Sequence, residues 1–215
     1  MPLPWLIAVV LAAQVALGIA PKADRLTWAL ENGPVWVGLG LLLFTQRRWP
    51  LSSLCLHLFA LHSLILAVGG HYTYALVPAG DWVRDALGLA RNHYDRVGHF
   101  AQGFIPAIFV RELLLRNTPL LRGGWLNFLV VCVCLAFSAC YEFFEWWVAV
   151  LTGEAAEAFL GTQGDVWDTQ WDMFLATVGA SCAVGLLSRW HDASLQRVLA
   201  APLNSSLTGA ASPRE

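Results

Sequence analysis

The chain has 215 residues, of which 57% are hydrophobic and 13% charged, about half the charged fraction of an average soluble domain. That composition excludes a soluble globule, and a formal net charge of -2 excludes the strongly basic footprint of a nucleic-acid binder. With a mean hydropathy of +0.57 and about 20 residues needed for each spanning helix, the length accommodates about six spans.

Apolar runs cut at charge clusters and at Pro or Gly predict those spans at residues 5–20, 28–45, 51–68, 97–115, 125–151 and 167–187. The expected fold class is an all-α integral membrane helical bundle. A single multi-pass domain covers residues 1–199, and the Pro-, Ser- and Gly-containing stretch 200–215 is expected to be a flexible cytoplasmic tail. The first run has no Lys or Arg ahead of it, so it lacks the positive region of a signal peptide and reads as an uncleaved helix. Of the eleven Trp, nine fall near proposed span ends and read as interfacial belts, whereas Trp36 lies inside the second span.

Between the third and fourth spans, residues 69–96 form a long connection rich in His, Tyr and Asp, a type of loop that is often functional. Cys55, Cys132, Cys134, Cys140 and Cys182 all lie in apolar runs, and Cys132 and Cys134 point to different faces of a helix. They read as buried small hydrophobes, not as a redox or zinc motif. His57 and His62 have no acid near them in sequence and read as interhelical hydrogen-bonders, and Pro106 can kink the fourth span. Gly153, Gly161 and Gly164 suit turns around 154–160, expected to lie along the outer surface.

Orientation follows from Lys and Arg near the span ends. With a cytoplasmic N-terminus, the inner side carries Arg47, Arg48, Arg111, Arg116, Arg122, Arg189, Arg197 and Arg214, and the outer side Lys22, Arg25, Arg84, Arg91 and Arg96. Eight against five favours N-in and C-in. Glu112, Asp192 and Glu215 are the inner acids, and the other twelve fall outside or at outer ends, so the outer side is net -7 and the inner side net +5.

Those outer acids lie on helical stripes. Asp95 and His99 stand at i and i+4, Glu142 and Glu145 at i and i+3, and Asp165, Asp168 and Asp172 follow i, i+3, i+7. A carboxylate at bilayer depth costs on the order of 2–4 kcal/mol unless it faces protein or water and finds a partner. Three explanations fit: a structural network with Arg84, Arg91 and Arg96, a divalent-metal site of carboxylates with His99 and a neighbouring His71 or His93, or a path for a polar solute or proton.

The stretches His71-Tyr72-Thr73-Tyr74, Asn92-His93-Tyr94-Asp95-Arg96 with Gly98-His99-Phe100, Tyr141-Glu142 with Glu145-Trp146, and Gly161-Thr162-Gln163-Gly164-Asp165 with Asp168-Thr169-Gln170-Trp171-Asp172-Met173 resemble the YjdF-like family of bacterial inner-membrane proteins. The resemblance spans nearly the whole chain and implies a multi-pass inner-membrane architecture, without a reaction. More distantly, Asp95, His99, Phe100, Glu142, Asp168 and Asp172 are similar in order to the pattern of VanZ-like membrane proteins. The Arg that usually precedes the last acids of that pattern is absent, since Gly161-Thr162-Gln163-Gly164 stand there. That similarity implies an envelope role.

The expected site is therefore a periplasm-facing acidic pocket. Asp95, His99, Glu142 and Asp172 are assigned to a divalent metal ion, Glu145 and Asp168 to acid–base catalysis, and His71, Tyr72 and Asp165 to the pocket wall. The corresponding activity is metal-dependent hydrolysis or transfer on an envelope lipid or its headgroup. The alternatives are a non-enzymatic binder or transporter of a cation or polar solute, and a structural scaffold. Membrane lipids are the expected partners, with no nucleic acid, and the expected location is the bacterial inner membrane.

Overall fold

The starts of two helices are fixed by side-chain capping. The Asp24 side chain accepts hydrogen bonds from the backbone N–H of Leu26 (2.8 Å) and Thr27 (3.0 Å), and Ser52 accepts one from Cys55 N–H. Pro78 opens a further helix at the position where its missing N–H costs nothing. The computed structural model describes residues 3–153, 160 and 162–208, with side chains as far as 200. Its elements are α1 (Leu3–Gly18), α2 (Arg25–Thr45), α3 (Ser53–Tyr72), a single 3-10 turn (Tyr74–Leu76), α4 (Pro78–Leu87), α5 (Tyr94–Asn117), α6 (Gly124–Thr152) and α7 (Asp168–Thr208). No strand occurs among the described residues. The expected surface segment 154–160 lies outside them except for residue 160. Of the expected tail, 201–208 continue the backbone of α7 and 209–215 lie outside the described residues.

Among the described residues three helices are long and apolar enough to cross a membrane, namely α3, α6 and Asp168–Ala200 of α7, and α1 is a shorter apolar helix. The expected six spans are thus met in part. α2 and α5 have 21 and 24 residues, but Glu31, Asn32 and Pro34 interrupt the first, and Asp95, Arg96, His99, Arg111 and Glu112 the second. These polar residues point inward: Glu31, Asn32, Asp95, His99, Arg111 and Glu112 are all buried.

Apolar side chains, by contrast, cover the outside. On α6 the buried positions Leu126, Val130, Cys134, Ser138 and Glu142 form an i+4 stripe, while Phe137, Trp146, Trp147 and Leu151 are exposed. This inside-out pattern is what a lipid solvent demands.

Two packed cores share α3. One is built from α3, α5, α6 and α7 around Leu58, Ile105, Ile108, Leu126, Val130 and Leu187, and the other from α1, α2 and α3 around Leu6, Val10, Val35, Leu42, Leu56 and Ala60. The closest approach is between α5 and α7. A Cβ on Gly103 would overlap the Ala176 carbonyl oxygen, and one on Gly179 would overlap that of Phe100. Ala107, Ala180 and Ala183 are also fully buried. Small residues let two helix backbones touch, which is how membrane helices associate without a hydrophobic driving force between them.

Candidate functional site

The close α5–α7 contact positions the acids at the N-terminal ends of these two helices. His99 and Asp95 lie one and two turns beyond Gly103 on α5, and Asp172 and Asp168 lie one and two turns beyond Ala176 on α7. Bringing Gly103 onto Ala176 therefore brings the two acidic ends together. The Nε2 atom of His99 stands 3.5 Å from Asp95 Oδ1 and 3.8 Å from Asp172 Oδ2. One ligand atom from each of these three buried residues can be chosen so that all lie within 4.8 Å of one another.

Two arginines clasp the aspartates of α7, Asp172 included, and the one just before it. Arg96 donates to Asp172 (2.5 Å), Asp168 (2.8 Å) and Asp165 (2.9 Å), and Arg91 donates to Asp168 (2.9 Å) and Asp165 (3.4 Å). Both guanidinium groups thus face α7 and its leading turn, and Arg91 also stands 3.8 Å from Asp95 Oδ2 on α5. Asn92 and Gln163 add a reciprocal pair, with Gln163 Nε2 donating to the Asn92 carbonyl (2.9 Å) and Asn92 N–H donating to Gln163 Oε1 (3.1 Å).

The hydrogen bond on the far side of a histidine ring fixes which nitrogen can bind an ion. His99 Nδ1 lies 2.9 Å from Gln102 Oε1, an acceptor, so Nδ1 carries a proton. In the neutral ring, the Nε2 lone pair then faces Asp95 and Asp172. Asp95 Oδ2 and Glu142 Oε1 are buried without a hydrogen-bond partner. In the protonated ring Nε2–H points at the same two carboxylates, and Arg91 stands 3.8 Å from Asp95 Oδ2, so the cluster can serve as a His–Asp ion pair or, with a neutral ring, offer a cation three ligand atoms.

A cavity of about 620 Å³ opens beside this cluster, lined at its outer end by Glu31, Tyr74, Asp95, His99, Gln102, Tyr141 and Glu145. Tyr74 enters because Gly69 and Gly98 leave room for its ring on two sides. Further in, the cavity adjoins a second hollow of about 590 Å³ whose wall is mainly apolar.

Of the expected site residues, Asp95, His99 and Asp172 come together, and Glu142 is buried on the α6 face turned toward the core. Glu145 lines the cavity with Asp95 and His99. Asp165 and Asp168 sit in the arginine clasp. His71 and Tyr72 lie apart from the cluster: His71 Nδ1 bonds the Leu17 carbonyl (2.8 Å), and Lys22 Nζ stands 4.7 Å from the centre of the Tyr72 ring. They fasten the outer end of α3 to the α1–α2 connection.

Sequence reasoning passed over Glu31 and Gln102, although the Glu31-Asn32 pair interrupting an apolar run was a visible signal. It also passed over a second cluster at the opposite end of α5. There Glu112 accepts from Ser52 N–H (3.1 Å), Cys55 Sγ (3.3 Å), Arg116 (3.0 Å) and His191 Nε2 (3.1 Å). Arg111 donates to His191 Nδ1 (2.6 Å) and to Asp192 (2.7 Å). Because Arg111 occupies Nδ1, the His191 proton sits on Nε2 and points at Glu112. In this triad the Nε2 proton is already directed at the carboxylate. Cys55 is accordingly a hydrogen-bond donor as well as a buried small group, and Cys140, expected inside, is exposed.

The family described as Predicted membrane protein (DUF2238) matches residues 3–193. Inner membrane protein YjdF of Escherichia coli (strain K12) is 52% identical over 174 residues, covering 81% of this chain and 83% of the relative. No solved structure matches.

Proposed function

The chain belongs to the DUF2238 family of membrane proteins, and we propose that it holds a divalent cation at Asp95, His99 and Asp172 and uses it for hydrolysis or transfer at an envelope-lipid headgroup. The observation carrying this reading is the His99 geometry. Two ligands bound at about 2.1 Å in a tetrahedral site lie about 3.4 Å apart, close to the 3.5 and 3.8 Å that separate His99 Nε2 from the two carboxylates. Glu142, with its unpartnered buried oxygen, stands as a further ligand. A bound ion would supply Lewis-acid charge and acidify water at this point. Glu145, on the cavity wall, is then the group that exchanges protons with substrate. Asp168, the other residue expected to act in acid–base catalysis, pairs with Arg91 and Arg96.

The same proposal includes the topology. At about 1.5 Å per residue, α2 is about 32 Å and α5 about 36 Å long, enough to span a hydrocarbon core of about 30 Å. With α1, α3, α6 and α7 this gives six spans in one multi-pass domain over residues 1–199. The Lys and Arg distribution makes it N-in and C-in in the bacterial inner membrane, which turns the acidic end to the periplasm.

Metal analysis of the purified protein tests the site. Wild type should carry about one divalent ion per chain and melt higher when Mn²⁺ or Zn²⁺ is added. Asp95→Asn and His99→Gln should lose both effects, and Glu145→Gln should keep the ion. A wild type without stoichiometric metal, unmoved by Mn²⁺, Zn²⁺ or Mg²⁺, refutes the proposal and returns the cluster to a structural network.

A further inference from the structure

The two adjoining hollows share Pro34, Leu41, His62, Pro106, Phe109 and Leu113, so they form one groove. From His99 to Asn117 it follows α5 for about 27 Å at 1.5 Å per residue, longer than the roughly 15 Å of one leaflet's hydrocarbon. Its outer end is acidic, and below that the wall is apolar apart from His62 and Ser63 until Thr45 and Asn117 at the inner end. A wall of this kind holds a hydrocarbon chain and does not support a hydrated ion path. α2 packs on α3, and α6 packs on α5 and α7, while no extensive α2–α6 packing is present. Between these two helices stand Val37, Leu41 and Phe137, all groove-lining and 64%, 60% and 65% exposed. The groove therefore opens sideways, toward lipid.

Its charge selects the head. Among the described residues no Lys or Arg lines either hollow, because Arg91 and Arg96 are turned to Asp95 and to the aspartates of α7 and the turn before it. Glu31 is only 5% exposed, and neither its carboxylate nor that of Glu145 makes a hydrogen bond or ion pair among the described residues. Two arginines and a divalent ion supply four positive charges to five acids, Asp95, Asp165, Asp168, Asp172 and Glu142, so none is left over for Glu31 and Glu145. A buried carboxylate is retained at bilayer depth when it finds a partner, and an ammonium group brings three N–H donors to such a pair.

We propose that this groove binds a membrane lipid with an amine-bearing head, the ammonium held by Glu31 and Glu145 and the chain lying along Leu41, Phe109 and Leu113. This deepens the envelope-lipid reading above by naming the headgroup class, and its charge count rests on that reading. The test uses the full-length protein in detergent, with phosphatidylethanolamine and phosphatidylglycerol of identical chains as probes, read by native mass spectrometry and thermal melting. Phosphatidylethanolamine should bind about tenfold more tightly and raise the melting temperature more. Glu31→Gln and Glu145→Gln should each abolish the preference, and Glu31→Asp should keep part of it. Leu113→Trp, which fills the chain's path, should weaken both lipids. Equal binding of the two lipids by wild type overturns the proposal, as does a preference that survives in both Gln variants. The two readings fail separately: a metal-free protein whose lipid preference follows Glu31 and Glu145 keeps the groove and loses the ion, and a metal-loaded protein without preference does the reverse.

Discussion

Adding one methyl group at Gly103 should dismantle the outer site from a distance. A Cβ there would overlap the Ala176 carbonyl oxygen, backbone against backbone, so no side-chain rotation can relieve the contact. Restoring an ordinary separation of about 3.5 Å requires α5 and α7 to part by on the order of 1–2 Å. His99 Nε2 and Asp172 Oδ2, now 3.8 Å apart, would then stand at roughly 5 Å or more, beyond any shared ion. Overpacking of this kind costs about 1–3 kcal/mol, which in a chain of this size lowers the melting temperature by about 2–12 °C. Gly185→Ala on α7 is the control, because a Cβ there meets nothing within 4 Å and the helix gains up to about 1 kcal/mol of propensity. Thermal melting of the two variants in detergent, with and without Mn²⁺, provides the assay. If Gly103→Ala melts like Gly185→Ala and keeps its response to Mn²⁺, the idea that small residues set the site is refuted.

Other expectations concern the rest of the chain. Glu112→Ala leaves Arg116, His191 and Ser52 N–H without their buried acceptor, and should cost about 3–5 kcal/mol, measured as loss of folded protein on heating while metal content per folded chain is unchanged. The hydrogen bond from the Thr27 hydroxyl, ahead of that from the Thr27 N–H, holds the Asp24 carboxyl below its ordinary value. A group lowered in the folded state contributes its stability fully above the ordinary carboxylate range and loses it as pH falls through the folded value. Asp24→Ala should therefore cost about 0.5–2 kcal/mol at neutral pH, and the difference from wild type should vanish in a melting series carried to strongly acidic pH. Reporter fusions after Arg48 and Arg122 should read cytoplasmic and one after Leu89 periplasmic; the reverse pattern would move the acidic end to the cytosol.

Local sequence carried much of this. Helix positions were legible because apolar runs, charge clusters and Pro or Gly act within a few residues of themselves, whereas the caps at Asp24 and Ser52 were not read from sequence. The acidic stripes were legible for the same reason: i, i+3 and i+4 spacing fixes a shared face whatever the helix packs against. Membrane residence follows from composition, since a surface of Phe, Trp and Leu has no other solvent.

Partnership was not legible. Arg96 reaches Asp172 across 76 positions of chain, His191 reaches Glu112 across 79, and Ser52 reaches Glu112 across 60, and nothing in a stripe says which helix will face it. His71 and Tyr72 shared the level of the site and were taken up by Leu17 and Lys22. Glu31 reached the cavity only because α2, α3, α5 and α6 line it together. By itself, the sequence determined that this is a helical membrane chain with its acids gathered at one end, because periodicity and hydropathy are local properties. Only the tertiary structure decided which acids the arginines take and which nitrogen of His99 is left facing two carboxylates, because those outcomes depend on how closely Gly103 and Gly179 let α5 and α7 meet.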